Sequence, residues 1–236
     1  MAALLAFDTA TEQLHLGLAL GTDVWLHDSE GGARASSSLI AGVLDLLREA
    51  GIGLHDLDAI AFGRGPGAFT GLRTACSVAQ GLAFGAKKPV LTLDTLMVVA
   101  EDARAQRSVH DVWVLMDARM NEIYAAHYVL SEGAWQTVAA PALVTPEALN
   151  RCWQETPPRS IAGSAPAVFG ARLDGGAAIV VADARPRASA LLSCAQAAWA
   201  RGSAADAALA LPLYVRDRVA LTSAEREAGR AGRVAP

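Results

Sequence analysis

Cysteine is scarce in this sequence, and no two cysteines form a CxxC pair: Cys76, Cys152 and Cys194 lie far apart. That spacing excludes a cysteine zinc site and a disulfide framework, and suits a reducing compartment. The histidines, His15, His27, His55, His110 and His127, supply neither HxxxH nor HExxH, so no metal-binding helix is expected. Each reads as an ordinary sheet or surface residue. Positive charge is not in excess: 20 Lys and Arg against 24 Asp and Glu leave a formal net charge of −4. Such a chain does not coat nucleic acid by charge alone, although work on RNA through a partner stays open. No apolar run approaches the ~20 residues of a membrane span. The opening "MAALLAFDTAT" lacks a basic n-region and meets Asp8 after only a short apolar stretch. It reads as a first strand and not as a signal peptide, so the expected location is the cytoplasm.

What is present is a large apolar fraction, 53% of 236 residues against 19% charged. That suffices for a substantial core, in one large domain or two small ones. Leu4 to Phe7 predicts a strand, and Leu14, Leu16, Leu18 and Leu20 alternate with small or polar residues as a second. The turn "GTD" leads to a third at Val24 to His27. Ser36, Ser37 and Ser38 offer N-caps for a helix through Ala50, stopped by Gly51, with Leu39, Ile40, Val43, Leu44 and Leu47 at helical spacing. "LDAIAF" predicts a fourth strand, about Thr70 to Phe84 a second helix, and "PVLTLD" a fifth strand. Thr95 is positioned to cap a third helix to about Arg107. The order βββαβαβα sets helices against a mixed sheet. A second unit follows from Val109: two strand-like runs in "VWVLMDARMNEIYAAHYVL", a proline-dotted connection, a short run at Ile161–Gly163, the strand "AAIVVAD" and the helix "SALLSCAQAAWARG". Two α/β halves of similar size are expected to be structural cousins. The stretch beyond Tyr214 loses apolar periodicity and is expected to fray.

The glycine-rich turn "GRGPGAFTGLR" asks whether this is a phosphate loop. No GxxxxGK[ST] can be drawn through Gly63, Gly65 or Gly67, so a P-loop is excluded. "GRGPGA" satisfies GxGxxG/A formally, but the helix begins too late and the strand is the fourth and not the first of a parallel set. The mechanical reading is a tight turn at Gly65, Pro66 and Gly67, with Thr70 capping the helix. That helix carries Gly71, Ala75, Cys76, Ala79, Gly81, Ala83 and Gly85. Gly costs about 1 kcal/mol against Ala inside a helix, so the repetition implies close approach of other backbone, in the core or across an interface.

Three other positions bear on chemistry. Asp8 and Thr9 end the first strand in a D-x-[GA]-T context that resembles the first phosphate-binding turn of actin-, hexokinase- and Hsp70-like ATPases; a turn-capping Asp is the plainer reading. Asp117, Arg119 and Glu122 form a charged cluster, either a salt-bridged hairpin tip or a contact surface. Ser164 in "AGSA" lacks a GxSxG elbow, which argues against a hydrolase nucleophile.

Taken together, "LLAFDTATEQLHLGLAL", "AFGRGPGAFTGLRTACSVAQGLAFG", "LMDARMNEIYAAHY" and "LPLYVRD" resemble, in order and over about residues 3 to 218, the bacterial TsaB (YeaZ) family. The resemblance implies two actin-like (ASKHA, ribonuclease H-like) α/β subdomains, each a mixed sheet flanked by helices. These would span residues 1–107 and 108–215, followed by a flexible tail at 216–236. It implies a cytoplasmic, non-catalytic part in making threonylcarbamoyladenosine beside the anticodon of ANN-decoding tRNAs. The implied partners are the catalytic subunit TsaD and the ATPase TsaE, with tRNA met only indirectly, and with homodimers when the chain is alone. ATP and threonylcarbamoyl-adenylate serve the wider complex; this chain would hold no cofactor or metal stably.

Consistent with that, "GGARASSSLIAG" lacks the HxxxH that holds the catalytic relative's metal, and that relative's second glycine motif shows here only as "IAGSAP". Several family members carry Glu-His where this chain has Arg34-Ala35. The implied partner surface is the first two helices: Leu39, Ile40, Val43, Leu44, Leu47, Gly71, Thr74, Ala75, Val78 and Leu82. Asp8, Thr9, Gly65 and Gly67 would be a vestige of nucleotide binding. The rival reading is a stand-alone actin-like ATPase or kinase using Asp8 and Thr9; peptide cleavage lacks zinc ligands and a nucleophile–base pair, and NAD binding rests only on "GRGPGA".

Overall fold

The structure, a computed structural model, describes residues 2–31 and 35–216. Arg34 and the tail from residue 217 onward lie outside the described residues. The first half runs β1 (Ala3–Asp8), β2 (Gln13–Leu20), β3 (Asp23–Glu30), α1 (Ala35–Ala50), β4 (Ala59–Gly65), α2 (Phe69–Ala86), β5 (Val90–Asp94) and α3 (Thr95–Arg107). Its strands lie in the order β3-β2-β1-β4-β5. β1, β2 and β3 form an antiparallel meander, while β4 and β5 add parallel to β1. β2 is buried from Leu14 to Ala19 because helices cover both faces of this sheet: Leu14, Leu16 and Leu18 face the α1–α2 side, and Gly17 and Ala19 face α6.

The second half repeats the plan: β6 (Asp111–Asp117), β7 (Ile123–Ser131), β8 (Ala134–Val144), α4 (Pro146–Glu155), β9 (Ser160–Ala162), α5 (Ala165–Phe169), β10 (Ile179–Val181) and α6 (Ala188–Ala200). The strand order is β10-β9-β6-β7-β8, again an antiparallel meander joined by two parallel strands. The two halves are topological copies.

Each half lends its last helix to the other. α6 packs Ala190, Leu191, Ala195 and Ala198 on the first sheet at Leu4, Ala6, Ala61 and Leu91. α3 packs Leu96, Val99 and Ala103 on the second sheet at Val112, Val114 and Tyr128. α1 and α2 close the far face of the first sheet through Leu39, Val43, Leu47, Ala75 and Ala79. α4 and α5 close the far face of the second through Leu149, Trp153, Ala165 and Phe169. The result is five layers, helices alternating with sheets.

Several local expectations are corrected. β8 and α4 replace the proline-dotted connection, and α5 follows β9 where no helix was expected. Pro141 is accommodated because β8 is an edge strand whose register with β7 shifts nearby. α4 starts in regular fashion, with Thr145 Oγ1 accepting from Ala148 N at 3.3 Å and Pro146 in the first turn. Thr70 does not cap α2, which begins at Phe69 after Ala68. Thr95 does not cap α3: it is the first helical residue, after Asp94, and its hydroxyl is used elsewhere. Ser36, Ser37 and Ser38 fall inside the first turn of α1, not before it.

Candidate functional site

β1 ends on Asp8, which is fully buried. Its Oδ1 accepts from Ala10 N at 2.6 Å and its Oδ2 from Thr95 Oγ1 at 2.6 Å. The Thr95 hydroxyl in turn accepts from Gly65 N at 3.2 Å. Burial raises the Asp8 carboxyl above its ordinary value, opposed by hydrogen bonds from Thr95 and Ala10 and by the charge of His15. The carboxylate lies over Gly63, where a Cβ would fall on Oδ2. One carboxylate therefore ties the ends of β1, β4 and β5 together.

The next residue ties in α2. Thr9 Oγ1 donates to Gly71 O at 2.7 Å, and a Cβ on Gly71 would fall on the Thr9 carbonyl. Ala10 O accepts from Ala68 N at 2.8 Å, and Ala10 fills the space a Gly67 side chain would need. Gly65 has φ +105, a conformation that favours glycine, and Arg64 Nε is 2.5 Å from Asp94 Oδ1. The "DTAT" and "GRGPGAFTG" turns are thus built into each other. Their glycines admit neighbouring chain.

The C-terminal stretch straps this assembly. Leu213 N donates to Arg64 O at 2.7 Å, Gln80 Nε2 to Ala210 O at 2.9 Å, and Arg73 Nε to Tyr214 Oη at 3.0 Å. Arg216, the end of the described chain, pairs with Glu122 at 2.8 Å and donates to Ala118 O at 2.9 Å. Tyr214 and Arg216 are therefore held, whereas fraying was expected beyond Tyr214.

The outer surface of α1 and α2 is the opposite of this sealed interior. Ile40 and Leu44, one turn apart on α1, are about half exposed, and Phe84 on α2 is 84% exposed. Thr74, Val78 and Leu82 are partly exposed, and Gly81 and Gly85 face open space. Of the residues expected at a partner surface, Ile40, Leu44, Thr74, Val78 and Leu82 are accessible. Leu39, Val43, Leu47, Gly71 and Ala75 are buried in this chain's own core and cannot meet a partner without unpacking it. Phe84 was missed; an aromatic between Gly81 and Gly85, off the buried stripe, was the available signal.

Between the halves lies a cleft of about 430 Å³ lined by Thr11, Glu12, Asp117, Arg119, Ser164 and Arg185. Asp117 ends β6 as Asp8 ends β1. Arg119 reaches across the cleft to Glu12 at 2.9 Å and back to Asp117 at 3.4 Å, while Ser164 Oγ accepts from Asp117 N at 3.1 Å. A phosphate cradle at the first turn would need free polar groups there. The residues present do not form that cradle: both Asp8 oxygens, the Thr9 hydroxyl and the Ala10 N–H are spent inside the protein. Asp8, Thr9, Gly65 and Gly67 are brought together, bonded or packed within the two turns. Among the described residues no three His, Cys, Asp or Glu side chains converge as a metal site, and no helix is long and apolar enough to cross a membrane.

A duplicated actin-like α/β fold, with its first turn sealed and a bare helix pair beside it, defines the structural class. A model of the family described as TsaD, tRNA N6-adenosine threonylcarbamoyltransferase, matches residues 26–167. The tRNA threonylcarbamoyladenosine biosynthesis protein TsaB of Escherichia coli K12 is 32% identical over 221 residues, 92% of this chain and 96% of that protein. The protein of the same name from Haemophilus influenzae is 37% identical over 158 residues, 63% and 66% of the two chains. Two solved Pseudomonas aeruginosa structures superpose closely. One is of YeaZ, with TM-score 0.82, 38% identity and coverage of 91% of this chain and 100% of that one. The other is of an uncharacterized protein with similarity to peptidase YEAZ, with TM-score 0.85, 38% identity and coverage of 92% and 100%. The chain belongs to the TsaB (YeaZ) family.

Proposed function

We propose that this chain is a non-catalytic subunit in threonylcarbamoylation of tRNA adenosine, and that it acts by pairing with the catalytic TsaD subunit through the outer face of α1 and α2. The observation that carries the reading is the contrast on α2: its inner face is locked to the first turn, while its outer face leaves apolar and small residues bare. Ile40 and Leu44 on α1, and Val78 and Leu82 with Gly81 and Gly85 on α2, permit close helix–helix approach. A two-fold pairing through the same face would give the homodimer of the isolated chain.

The absence of catalysis is supported by the internal use of Asp8, Thr9 and Ala10, which leaves no free phosphate-binding turn on the first half. In this reading the chain binds no cofactor of its own, works in the cytoplasm, meets tRNA through TsaD, and shares its complex with TsaE. Omission tests it. A reaction containing TsaD, TsaE, the synthase, ATP, threonine, bicarbonate and tRNA is expected to form little product without this chain, and full activity without it would exclude the role. Calorimetry with Mg-ATP on the isolated chain is expected to show neither tight binding nor turnover.

A further inference from the structure

A second cavity of about 430 Å³ shares no lining residue with the cleft and opens between α3, α6, the end of β5 and the β7–β8 hairpin. Its volume is that of an ordinary small-molecule site. Leu93, Met97, Val98, Ala197 and Ala198 give it apolar surface.

One wall is fixed by a buried carboxylate. Glu101 Oε1 accepts from Arg104 Nη2 at 2.7 Å and Ser193 Oγ at 2.6 Å; Oε2 accepts from Arg104 Nε at 2.8 Å and Trp135 Nε1 at 3.0 Å. Burial works to raise this carboxyl, but the donors from Arg104, Ser193 and Trp135 hold it below the ordinary carboxylate range. Glu101 is therefore ionised and fully occupied. It positions three lining side chains, from α3, α6 and β8, without competing for a ligand.

The charges leave a surplus. The lining carries Arg64, Arg104 and Arg201 against Asp94 and Glu101. Asp94 is taken by Arg64 at 2.5 Å and Glu101 by Arg104. Among the described residues Arg201 has no carboxylate within ion-pair distance, and both paired guanidiniums keep unused N–H donors. Behind the wall, the fully buried Tyr128 hydroxyl has no hydrogen-bond partner. Its phenol is raised mainly by burial, with Asp94, Arg64 and Cys194, all cavity residues, as its electrostatic neighbours.

We propose that this cavity binds a small organic monoanion, a carboxylate on an aromatic or branched apolar body. The carboxylate is held by Arg201 and the free edges of Arg64 and Arg104, and the body lies between Trp135 and the α6 alanines. Because the walls come from both halves, the ligand braces the α3–α6 layer and raises the melting temperature as its concentration increases. The site is independent of the proposed pairing face.

Calorimetric titration of the full chain with naphthoate is expected to show one site. The neutral analogue naphthol is expected to bind at least about tenfold more weakly, the equivalent of about 1.4 kcal/mol. Arg201→Glu, at an exposed and unpaired position, is expected to weaken naphthoate by at least about tenfold, and Ala197→Phe to abolish binding by filling the cavity. Melting curves of the unliganded variants establish that each is folded, and Phe84→Ser on α2 is expected to bind as the parent does. The proposal is overturned by absent naphthoate binding, by equal affinity for naphthol, or by parental affinity in both cavity variants. Loss of binding in Phe84→Ser would move the site to α2 and overturn it as well. Tighter binding of naphthyl phosphate than of naphthoate would overturn the monoanion assignment.

Discussion

The two halves share strand order and helix placement, yet the turns that end their first strands are put to opposite uses. Asp8 is buried, packs on Gly63, bonds Thr95 after β5 and reaches Gly65 N through that hydroxyl, and is followed by a turn, Thr9 to Glu12, without a positive φ. Asp117, its counterpart on β6, lines the open cleft and is followed by Arg119, Met120 and Asn121, three successive non-glycine residues with positive φ. Left-handed conformations cost L-residues roughly 1–2 kcal/mol each, less for Asn. The helix after β4 is 18 residues long with a bare outer face, whereas the one after β9 has five. Duplication supplied the frame. Closing one turn fixed a long helix in place and left its far side bare.

The comparison is broken most severely at Gly71. Gly71→Ala forces a methyl onto the Thr9 carbonyl, and is expected to cost on the order of 3 kcal/mol despite the better helix propensity of Ala. Urea unfolding monitored by circular dichroism measures it. Removing the two counterpart aspartates should separate the halves next. Asp8→Ala leaves the Thr95 hydroxyl and Ala10 N–H buried without acceptors, and is expected to cost about 2 to 3 kcal/mol. Asp117→Ala, at the cleft, is expected to cost less than about 1 kcal/mol. Equal costs would show that the two turns are not used differently.

A smaller effect of opposite sign belongs to the outer face. A Cβ on Gly81 meets nothing within 4 Å, so Gly81→Ala is expected to stabilise the isolated monomer by about 1 kcal/mol. Loss of stability there would mean that the outer face is covered in the monomer.

The subtlest difference is in pH dependence. The folded Asp8 carboxyl titrates above its ordinary value of 3.8, so the native state holds more protons than the unfolded one in the interval between the two. The stability it contributes is fully present below 3.8 and is lost as pH rises through the raised folded value. The stability difference between the parent and Asp8→Asn is therefore expected to be larger in mild acid than near neutrality. Glu101, lowered, works in the other sense: its contribution is lost as pH falls through its folded value. Paired urea titrations in mild acid and near neutrality check both signs.

The first half was legible because each element announced itself: alternating leucines in β2, a helical apolar stripe in α1, and glycine turns between. In the second half, Pro141 and the small residues of β8 concealed an edge strand, although Thr145-Pro146-Glu147 carried an ordinary helix start. The exchange of α3 and α6 had no sequence signature, since adjacent Val98 and Val99 face different cores and apolar spacing does not say which sheet is met. The same ambiguity governed the partner surface. Leu39, Val43 and Leu47 share the helical spacing of Ile40 and Leu44, so only packing could divide core from surface. The roles of Gly63 and Gly71 were illegible for another reason: they are fixed by Asp8 and Thr9, more than 50 residues earlier in the chain.

The central claim is that the sealed first turn holds α2 so that the outer face of α1 and α2 can pair with TsaD. It is tested most directly by light scattering on size-fractionated mixtures of TsaD with the parent chain and with Leu44→Asp, whose side chain is 47% exposed. The account predicts a one-to-one complex with the parent chain, and separate elution of Leu44→Asp at an unchanged melting temperature. A complex that survives Leu44→Asp, or its absence with the parent chain, would contradict it.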